Sequence, residues 1–570
     1  MRLYQSFTFF LRTVLILLLP VYGCTPDADQ ADLILVNGRV WTAAGENAFA
    51  EAVAIRGERI LKVGSSAEIQ RLAGKATRTI DLNGKLVIPG FNDAHIHFLG
   101  GSMGLSEVDL TGVRSPQEVV SRVNGYAAKN PEKQWITGRG WQYTIFTDGL
   151  PSVNQLGGII SDRPVYLRAY DGHSAWANQR AMKLADIKPS TTLQKGFGKV
   201  VRDGRGTPTG ALLEDAQSLV ASIIPEMSRE EKLAALRQGL KLAASFGITS
   251  LQNANGSPEE LSLYETLLAA NELTARYAAS FSANASTTPE QIEEYTAIKD
   301  RIGSHNAMLS AHAIKFMLDG VIEAHTAAMI APYDDVKDGA RGDFALPLET
   351  YKALVKEFDK RGFRIYTHAI GDLAIREALN AYEDAGRTNG LADRRHRVEH
   401  IESVSPADIP RFGQLGVLAS MQPIHANPES MGVWSKAVGA ARHPNSFAWA
   451  ALLNQNATLV FSSDWPACTD HNPITGLHIA VNRKTIGGFP PAGWEVQQQV
   501  SIGQALLAYT RAGAFSSFEE GKKGQIRDGY LADLLILSDD FFVTDPMKIF
   551  ETKVLVTIFN GKVIFEKEKL

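Results

Sequence analysis

The stretch LVIPGFNDAHIHF, from Leu86 to Phe98, decides how the rest of this chain folds. Its apolar start passes through a Pro-Gly pair into a second short strand that carries His95 and His97. Side chains two residues apart on a strand point to the same face, so the two imidazoles would reach one point at the end of that strand. Two such nitrogens suit a divalent metal. A His-x-His pair alone is more often a surface or core feature, so its meaning depends on the rest of the chain.

The composition is that of a folded protein with more than one structural unit. The chain has 570 residues, of which 45% are hydrophobic and 21% charged, and its net charge is -4. This length is too great for one small core, and it can hold a barrel of about 250 residues or more with an accessory domain. Because basic residues are not in excess, nucleic acid is not expected as a partner.

The start of the chain predicts an export signal. A short apolar core, Val14 to Leu19, leads into Cys24 and is too short to span a bilayer as a mature helix. The small residue before Cys24 resembles a bacterial lipoprotein cleavage site. We therefore predict that Cys24 is lipidated and anchors the protein at the cell envelope, on the periplasmic or extracellular side. Ordinary secretion and an uncleaved anchor are the alternatives, and Cys468 would have no disulfide partner.

The two ends of the chain predict one composite β-domain. Near the start, Asn37-Gly38 and Arg56-Gly57 are hairpin turn signals between short apolar runs, and Asn560-Gly561 is a third signal near the end. We expect the two ends to pair, with the body of the chain as a single insertion between them. The predicted bounds are 1–24 for the signal peptide, 32–84 and 520–570 for the β-domain, 85–519 for a barrel domain and about 105–227 for a subdomain inserted in it.

Amphipathic helices and apolar strands alternate through the body of the chain. Alternation of this length predicts a parallel sheet. We expect a deformed (β/α)8 TIM barrel, because ligand-type residues recur at the carboxyl ends of the strands, where barrel enzymes place their chemistry. The long excursion after the first barrel strand is predicted to cover the barrel mouth. The clearest predicted helices are Ser228–Ser245, Leu348–Lys360, Pro410–Leu415 and Ala448–Leu453.

Four more residues join the two histidines as candidate metal ligands. Lys315 lies in an apolar run, where a charged amine is costly unless it is paired. It could form a salt bridge with Asp319, or burial could lower its pKa and leave a neutral amine that takes up CO₂, forming a carbamate between two metal ions. His368 and His400 each close a strand, and Asp464 ends the run VFSSD. Asp464 is predicted to be both a ligand and the base that takes a proton from water.

Five motifs together carry a resemblance to a known family: PGFNDAHIHF, IKFMLDG, THAIGD, RVEHIE and FSSDWP, in this order. From about Asp32 to Phe565 the chain resembles the metal-dependent amidohydrolase superfamily, in particular the amidohydrolase family 3 or YtcJ-like branch that includes N-substituted formamide deformylase. The resemblance implies a deformed barrel with a composite β-domain, and a divalent-metal cofactor, with zinc as the expected ion, in one or two copies. The ligand roles that it implies fall on His95, His97, Lys315, His368, His400 and Asp464.

The reaction we predict is hydrolysis of a non-peptide, amide-type C–N bond by metal-activated water. The alternatives are hydrolysis of a cyclic amide, lactone or carbamate at the same centre, and a catalytically inactive, lipid-anchored binding protein. His173 is predicted to hold the substrate carbonyl or the developing oxyanion, or else to order the inserted subdomain. Trp141, Tyr143 and Trp465 are predicted pocket walls. The expected partners are a small-molecule substrate and, through the lipid anchor only, a membrane, while a homodimer stays open.

Overall fold

The structure is a computed structural model that describes residues 30–567 except 148, 170–173, 194–197, 304–305, 338, 430 and 469, and leaves the side chains at 144, 198 and 214 undescribed. Cys24 and the rest of the predicted signal lie outside the described residues, as does His173. Within the described ranges, no helix is both long and apolar enough to cross a membrane.

Strands and helices alternate along most of the chain. The strands are β1 Ala31–Val36, β2 Arg39–Trp41, β3 Phe49–Ala50, β4 Ala52–Arg56, β5 Arg59–Gly64, β6 Ala73–Asp81, β7 Leu86–Pro89, β8 Phe91–Ile96, β9 Val108–Asp109, β10 Ile136–Trp141, β11 Val165–Ala169, β12 Ser174–Ala177, β13 Gly198–Arg202, β14 Pro208–Glu214, β15 Ile248–Asn253, β16 Arg276–Ser282, β17 Leu309–Met317, β18 Arg364–Ala369, β19 Arg397–His400, β20 Leu418–Met421, β21 Leu459–Phe461, β22 Leu534–Leu537, β23 Val554–Phe559 and β24 Lys562–Glu566. The helices are α1 Ser66–Gln70, α2 Phe98–Gly104, α3 Pro116–Lys129, α4 Gln179–Leu184, α5 Ser218–Ala221, α6 Arg229–Ser245, α7 Pro258–Ala269, α8 Pro289–Ile302, α9 Leu348–Lys360, α10 Asp372–Asn389, α11 Ile409–Leu415, α12 Met431–Val438, α13 Trp449–Asn454, α14 Pro473–Asn482, α15 Ile502–Tyr509 and α16 Arg511–Ser516.

Eight parallel strands form a nearly closed barrel, in the order β8, β15, β16, β17, β18, β19, β20 and β21. The last strand meets the first through the Asp464 N–H, which donates to His95 O at 2.8 Å, and through the Ser463 hydroxyl, which donates to Asp93 at 2.6 Å. We call the end of the barrel at the carboxyl ends of the strands the upper end, and the opposite end the lower end. The predicted fold class, a deformed (β/α)8 barrel with added β-structure, is confirmed.

Local sequence signals mark the start and the end of helix α6. The Ser228 hydroxyl accepts the Glu231 N–H at the start of α6, and the Glu231 side chain in turn accepts the Ser228 N–H. Gly247 follows the end of this helix at φ +76°, a conformation that costs glycine little. The helices α6, α9, α11 and α13 agree with their predicted bounds to within one residue.

Both chain ends contribute to one six-stranded sheet, in the order β24-β23-β22-β7-β2-β3, while a four-stranded sheet, β5-β4-β1-β6, comes from the amino-terminal part. The predicted hairpins at Arg56-Gly57 and Asn560-Gly561 are confirmed by the β4–β5 and β23–β24 pairs. The hairpin predicted at Asn37-Gly38 is wrong. Because β1 pairs with β4 and β6, whereas β2 pairs with β3 and β7, this turn carries the chain from one sheet into the other.

The excursion between β8 and α6 forms a separate six-stranded sheet, in the order β13-β14-β12-β11-β10-β9. Its hydrophobic core is distinct from that of the barrel and includes Trp141 and Trp176. The insert reaches the upper end of the barrel, where Arg139 Nη1 donates to Pro466 O at 3.2 Å. Pro466 follows the last barrel strand closely, so the insert lies against the mouth.

A buried ion pair ties the lower end of the barrel to the β-domain. Arg276 opens β16 and donates from Nε to Asp533 Oδ2 at 2.8 Å and from Nη2 to Asp533 Oδ1 at 3.1 Å. Its Nη1 donates to Ala307 O at 2.8 Å. The two side chains are only 3% and 6% exposed. Each of these charges is therefore held by several hydrogen bonds, which is the arrangement that a buried ion pair needs.

Candidate metal centre

The upper end of the barrel gathers the six predicted ligands. Each lies at or just beyond the carboxyl end of its strand: His95 and His97 at β8, Lys315 on β17, His368 on β18, His400 on β19 and Asp464 after β21. The ring centroids of neighbouring histidines are 5.6 Å apart for His95 and His97, 4.8 Å for His95 and His400, and 4.5 Å for His368 and His400. The structure thus brings together residues from five strands that are distant in sequence.

Asp464 lies at the middle of this group. Its Oδ1 is 3.3 Å from His95 Nε2 and 3.1 Å from His97 Nε2. Its Oδ2 is 3.4 Å from His425 Nε2 and 3.9 Å from His400 Nδ1. The carboxylate is 7% exposed, so each of its oxygens faces a separate pair of imidazoles in a nearly dry environment.

The electrostatics leave an ionised carboxylate beside three neutral imidazoles, those of His97, His368 and His400, whereas burial would lower the pKa of His425 but Cys468, Asp464 and Glu402 hold it well above its ordinary value. Burial alone would raise the pKa of Asp464, but the adjoining imidazoles hold it well below its usual range. Burial, with the nearby charge of Lys315, lowers the pKa of His368 to about 3. Burial also lowers the pKa of His97 and takes that of His400 well below its ordinary value. Neutral imidazoles and an ionised carboxylate are the protonation states that bind a divalent metal.

His95 is held by a carboxylate on the side away from Asp464. Its Nδ1 is 2.6 Å from Glu399 Oε2, and Glu399 Oε1 is 3.0 Å from Arg397 Nε. Glu399 and Arg397 have no exposed surface. Burial would raise the pKa of Glu399, but the charge of Arg397 and the contact with His95 lower it to about 2. An ionised Glu399 accepts the Nδ1–H, which leaves the lone pair of His95 on Nε2, facing Asp464.

Hydrogen bonds to carbonyl oxygens also orient His368 and His400. His368 Nε2 is 3.1 Å from Gly320 O, and His400 Nδ1 is 3.0 Å from Gln422 Oε1. Because a carbonyl oxygen can only accept, each of these ring nitrogens carries a hydrogen. The lone pair is then on Nδ1 of His368 and on Nε2 of His400, where it is available to a ligand.

Lys315 faces the ligand group. Its Nζ is 3.5 Å from His95 Nε2, and burial lowers the pKa of the amine to about 8. Asp319, the alternative partner predicted for it, instead accepts three backbone N–H groups, those of Ala328, Ile370 and Gly371. Capture of CO₂ by Lys315 stays a prediction, and a lowered pKa favours the neutral amine that this reaction needs.

Two of the ligand positions have unusual backbone conformations. His400 has φ +77° and Asp464 has φ +57°, in the left-handed region that residues with a β-carbon seldom adopt. Such conformations cost about 1–3 kcal/mol and persist where the surrounding structure holds them, often at functional sites. The strand ends are therefore bent in a way that turns these side chains into the barrel mouth.

Trp465, one of the predicted pocket walls, lies next to the ligands. Its carbonyl accepts the His97 N–H at 2.8 Å. Its ring stacks on His471, with centroids 4.3 Å apart, and packs against Gly101, where a β-carbon would lie 2.2 Å from the indole. The side chain is 5% exposed, so Trp465 fixes the loop after β21 as well as bordering the mouth.

The other predicted pocket residues belong to the insert. The Trp141 indole N–H donates to Leu167 O at 3.0 Å, and the Tyr143 hydroxyl donates to Ser174 Oγ at 2.9 Å. These contacts place both aromatic side chains in or beside the core of the insert, not among the ligand residues. The role predicted for His173 falls outside the described residues and stays a prediction.

The donor set fits a divalent metal. Two groups of side chains could each hold an ion, one of His95, His97 and Asp464 and one of His400, His425 and Asp464. Within each group the ligand atoms lie within 4.8 Å of one another. Asp464 Oδ1 and His425 Nε2 are buried, and neither has a hydrogen-bond partner among the described residues. Buried polar atoms without partners are costly. Imidazole nitrogens and carboxylate oxygens are the ligands that zinc uses in catalytic sites, which leave a position open for water or substrate.

Sequence reasoning missed four residues of this centre: Glu399, Glu402, Gln422 and His425. Glu399 could have been found, because Arg397 and Glu399 alternate with Val398 on a strand that is buried throughout, and charged residues in that pattern face the barrel interior. His425 offered no such signal. It lies in the turn Pro423–Ala426 beyond β20, a strand with no predicted ligand.

Comparison with known proteins agrees with this geometry. The sequence pattern of the amidohydrolase family, Amidohydro_3, matches residues 78–565. The protein LONG AFTER FAR-RED 3 of Arabidopsis thaliana is 32% identical over 95% of this chain and 93% of its own length. The N-substituted formamide deformylase of Arthrobacter pascens is 26% identical over 94% of this chain and 98% of its own length.

A solved structure shares the fold. The crystal structure of an uncharacterised metal-dependent hydrolase from Pyrococcus horikoshii OT3 superposes with a TM-score of 0.73 at 24% identity, covering 90% of this chain and 99% of the other. A family match over most of the chain, together with a relative of 32% identity along nearly its whole length, is decisive. This chain belongs to the amidohydrolase family, as its motifs predict.

Proposed function

We propose that this hydrolase cleaves an amide-type C–N bond, other than a peptide bond, in a small-molecule substrate. The observation that carries the proposal is the state of Asp464 Oδ1. This oxygen is buried between the imidazoles of His95 and His97 and has no hydrogen-bond partner among the described residues. Further support comes from the full-length similarity to a relative named for cleaving a formamide. A divalent cation bound to this set supplies Lewis acidity for both water and the substrate carbonyl.

Asp464 has the properties of the general base. It is ionised, buried and held by the N–H bond to His95 O at 2.8 Å, so its carboxylate keeps one orientation at the barrel mouth. In the proposed reaction Asp464 takes a proton from the attacking water and later gives it to the amine nitrogen as the C–N bond breaks. The balance is one water consumed, with one carboxylic acid and one amine formed.

His95, His97, His368 and His400 would hold divalent metal together with Asp464, and the orientation of three of these histidines is fixed before substrate arrives. Glu399 orders His95, Gly320 O orders His368, and Gln422 orders His400, each through a hydrogen bond of 2.6–3.1 Å. Such preorganisation lowers the cost of reaching the transition state. Trp465 and the contact between the insert and Pro466 border the mouth.

The test combines metal analysis with a substrate screen. Purified full-length protein would be loaded with Zn²⁺ and offered N-formyl and N-acyl amines, beside a lactone, a carbamate, a cyclic amide and a dipeptide. We expect free amine from at least one of the N-acyl compounds, loss of that activity on chelation and its return with Zn²⁺. Hydrolysis of the lactone, the carbamate or the cyclic amide without any N-acyl amine would show that the bond type is wrong. Turnover that survives complete removal of metal would show that the mechanism is wrong.

A further inference from the structure

His425 contacts the metal centre without being one of the residues to which the family resemblance assigns a ligand role. It comes from the turn Pro423–Ala426 after β20. Its Nε2 lies 3.4 Å from Asp464 Oδ2, and the side chain is 15% exposed. The Nε2 atom itself is buried and has no hydrogen-bond partner in the described part of the chain. At 3.4 Å the contact with Asp464 Oδ2 is longer than a charge-assisted hydrogen bond, which measures about 2.7–2.9 Å, so this carboxylate does not complete the bonding of Nε2.

The spacing of these atoms matches that of ligands sharing one ion. Zinc binds imidazole nitrogen and carboxylate oxygen at about 2.0–2.1 Å, which at a tetrahedral angle separates two ligand atoms by about 3.3–3.4 Å. On one side of Asp464, its Oδ1 is 3.3 Å from His95 Nε2 and 3.1 Å from His97 Nε2. On the other side, its Oδ2 is 3.4 Å from His425 Nε2. Both carboxylate oxygens therefore have neighbours at ligand spacing.

A second likeness between the two sides lies behind the histidines. Glu399 faces His95 Nδ1 at 2.6 Å, and Glu402 faces His425 Nδ1 at 3.5 Å. Glu402 is fixed in turn, since its Oε2 accepts the indole N–H of the fully buried Trp434 at 2.8 Å. A carboxylate behind a histidine is the usual support of a metal-binding imidazole. On each side of Asp464 there is thus an imidazole whose Nε2 faces Asp464 and whose Nδ1 faces a glutamate.

We propose that His400, His425 and Asp464 form a second divalent-metal position, so that the Asp464 carboxylate bridges two ions through its two oxygens. The inference deepens the metal-dependent hydrolase proposed above and rests on it. It assigns the second ion to a histidine beyond β20, while Lys315, at 3.5 Å from His95 Nε2, lies on the side of the first ion. The three ligand atoms of the second position lie within 4.8 Å of one another.

The experiment is a metal titration of the full-length protein. Protein stripped by chelation would be titrated with Co²⁺ and with Zn²⁺, and bound metal counted after desalting, with the visible spectrum of Co²⁺ as a second readout. We expect two equivalents in the unchanged protein. His425→Ala should keep the first equivalent and weaken the second by more than about 100-fold, beyond the 10- to 100-fold typical of supporting residues. Added imidazole should restore the second equivalent to His425→Ala.

Matched variants guard against a loss of folding. His312→Ala removes a partly exposed histidine that bonds Gly303 O at 3.3 Å near the start of β17, and it should bind metal like the unchanged protein. Glu402→Gln keeps the shape of the side chain and should weaken only the second equivalent, by about 10- to 100-fold. Far-ultraviolet circular dichroism would confirm that each variant is folded before metal is counted.

Three results would overturn the proposal. The first is a single equivalent in the unchanged protein. The second is a His425→Ala variant that binds both ions with unchanged affinity, which would make His425 a hydrogen-bond donor to Asp464 or to the substrate. The third is loss of the second ion in Lys315→Ala but not in His425→Ala. If the protein hydrolyses an amide with one ion bound, the proposed function holds and the second metal position is wrong. If it binds two ions and hydrolyses no amide, the second metal position holds and the proposed function is wrong.

Discussion

At the lower end of the barrel, Arg276 gives hydrogen bonds from three nitrogens to Asp533 and Ala307 O. At the upper end, Asp464 Oδ1 and His425 Nε2 are equally buried and have no such partner among the described residues. Both ends bury charged side chains, and burying a charge is costly unless the group is paired and hydrogen-bonded. The difference between them is whether the protein itself completes the hydrogen bonds, and where it does not, the atoms are left for a ligand.

The largest effect that tests this difference between the two ends is expected from Asp464→Asn, at the upper end. The amide keeps an oxygen for coordination but cannot accept a proton, so we expect hydrolysis to fall by about 10³-fold or more while part of the metal is retained. The thermal midpoint should fall little, because no protein hydrogen bond to Oδ1 is lost. Steady-state kinetics and metal analysis provide the measurements, and the exposed Asp528→Asn is the control. Full activity in Asp464→Asn would assign the base elsewhere.

The next effect is expected at the lower end, from Asp533→Ala. Removing this carboxylate leaves the Arg276 guanidinium buried and unpaired, which should cost about 3–5 kcal/mol of unfolding free energy. The protein that remains folded should keep its metal and its turnover number. Urea unfolding followed by fluorescence gives the stability. In the double variant Arg276→Met/Asp533→Leu, which removes both charges, much of the loss should be recovered.

A third prediction concerns pH. Burial raises the pKa of Glu260, near the upper end in α7, to about 7, although Tyr277 donates to it at 3.0 Å. The pKa of Glu260 in the folded protein lies above its unfolded value of about 4.3, so the protonated form favours folding. The contribution of Glu260 to the free energy of unfolding is therefore full below about pH 4.3 and is lost as pH rises through about 7. Glu260→Gln should therefore stabilise the protein by up to about 3 kcal/mol at pH 8 and by little at pH 4.5.

Glu519 at the lower end provides the opposite control. Burial would raise its pKa, but the charge of Lys523 at 2.8 Å lowers it below the ordinary value. Its contribution to stability is therefore present above the unfolded pKa and is lost as pH falls through the folded one. Glu519→Gln should destabilise the protein at pH 7 and progressively less toward acid. Unfolding midpoints across pH that run parallel for the two variants would refute the assigned directions.

The smallest effect is expected from Glu399→Gln. Glutamine can still accept the His95 Nδ1–H, but it lacks the charge that makes His95 a better ligand, so metal affinity should fall by about 10- to 100-fold. That change equals about 1.4–2.7 kcal/mol. Competition against a chromogenic chelator measures the affinity. An unchanged affinity would mean that Glu399 serves Arg397 and the barrel interior rather than the metal.

Much of the fold could be predicted because its signals are local. The alternation of helices and strands, the glycine after α6 and the hairpin at Asn560-Gly561 all depend on neighbouring residues. The hairpin predicted at Asn37-Gly38 is wrong because a turn sequence specifies a bend and not the partner of the strand that follows it. That partner, β7 for β2, is decided by packing among segments that are far apart in sequence.

The residues of the candidate site also divide into those with a local sequence signal and those placed by contacts between distant segments. His95 and His97 are recognisable because the spacing of two residues on a strand already implies convergence. Glu399 sits within a recognised motif, but its role depends on the 2.6 Å contact with His95, 304 residues away. His425 depends on where a turn carries it in space, and no periodicity in the sequence indicates that position.

The pairing of Arg276 with Asp533 also has a consequence for the order in which the molecule can assemble. The two residues are 257 positions apart, and Asn560, which also contacts the guanidinium, comes later still. While the chain is being synthesised, the eight barrel strands emerge before Asp533 and Asn560 do. A barrel formed at that stage would lack the carboxylate that pairs with this cation at its lower end. Completion of the native state is therefore expected only after the final segment has left the ribosome.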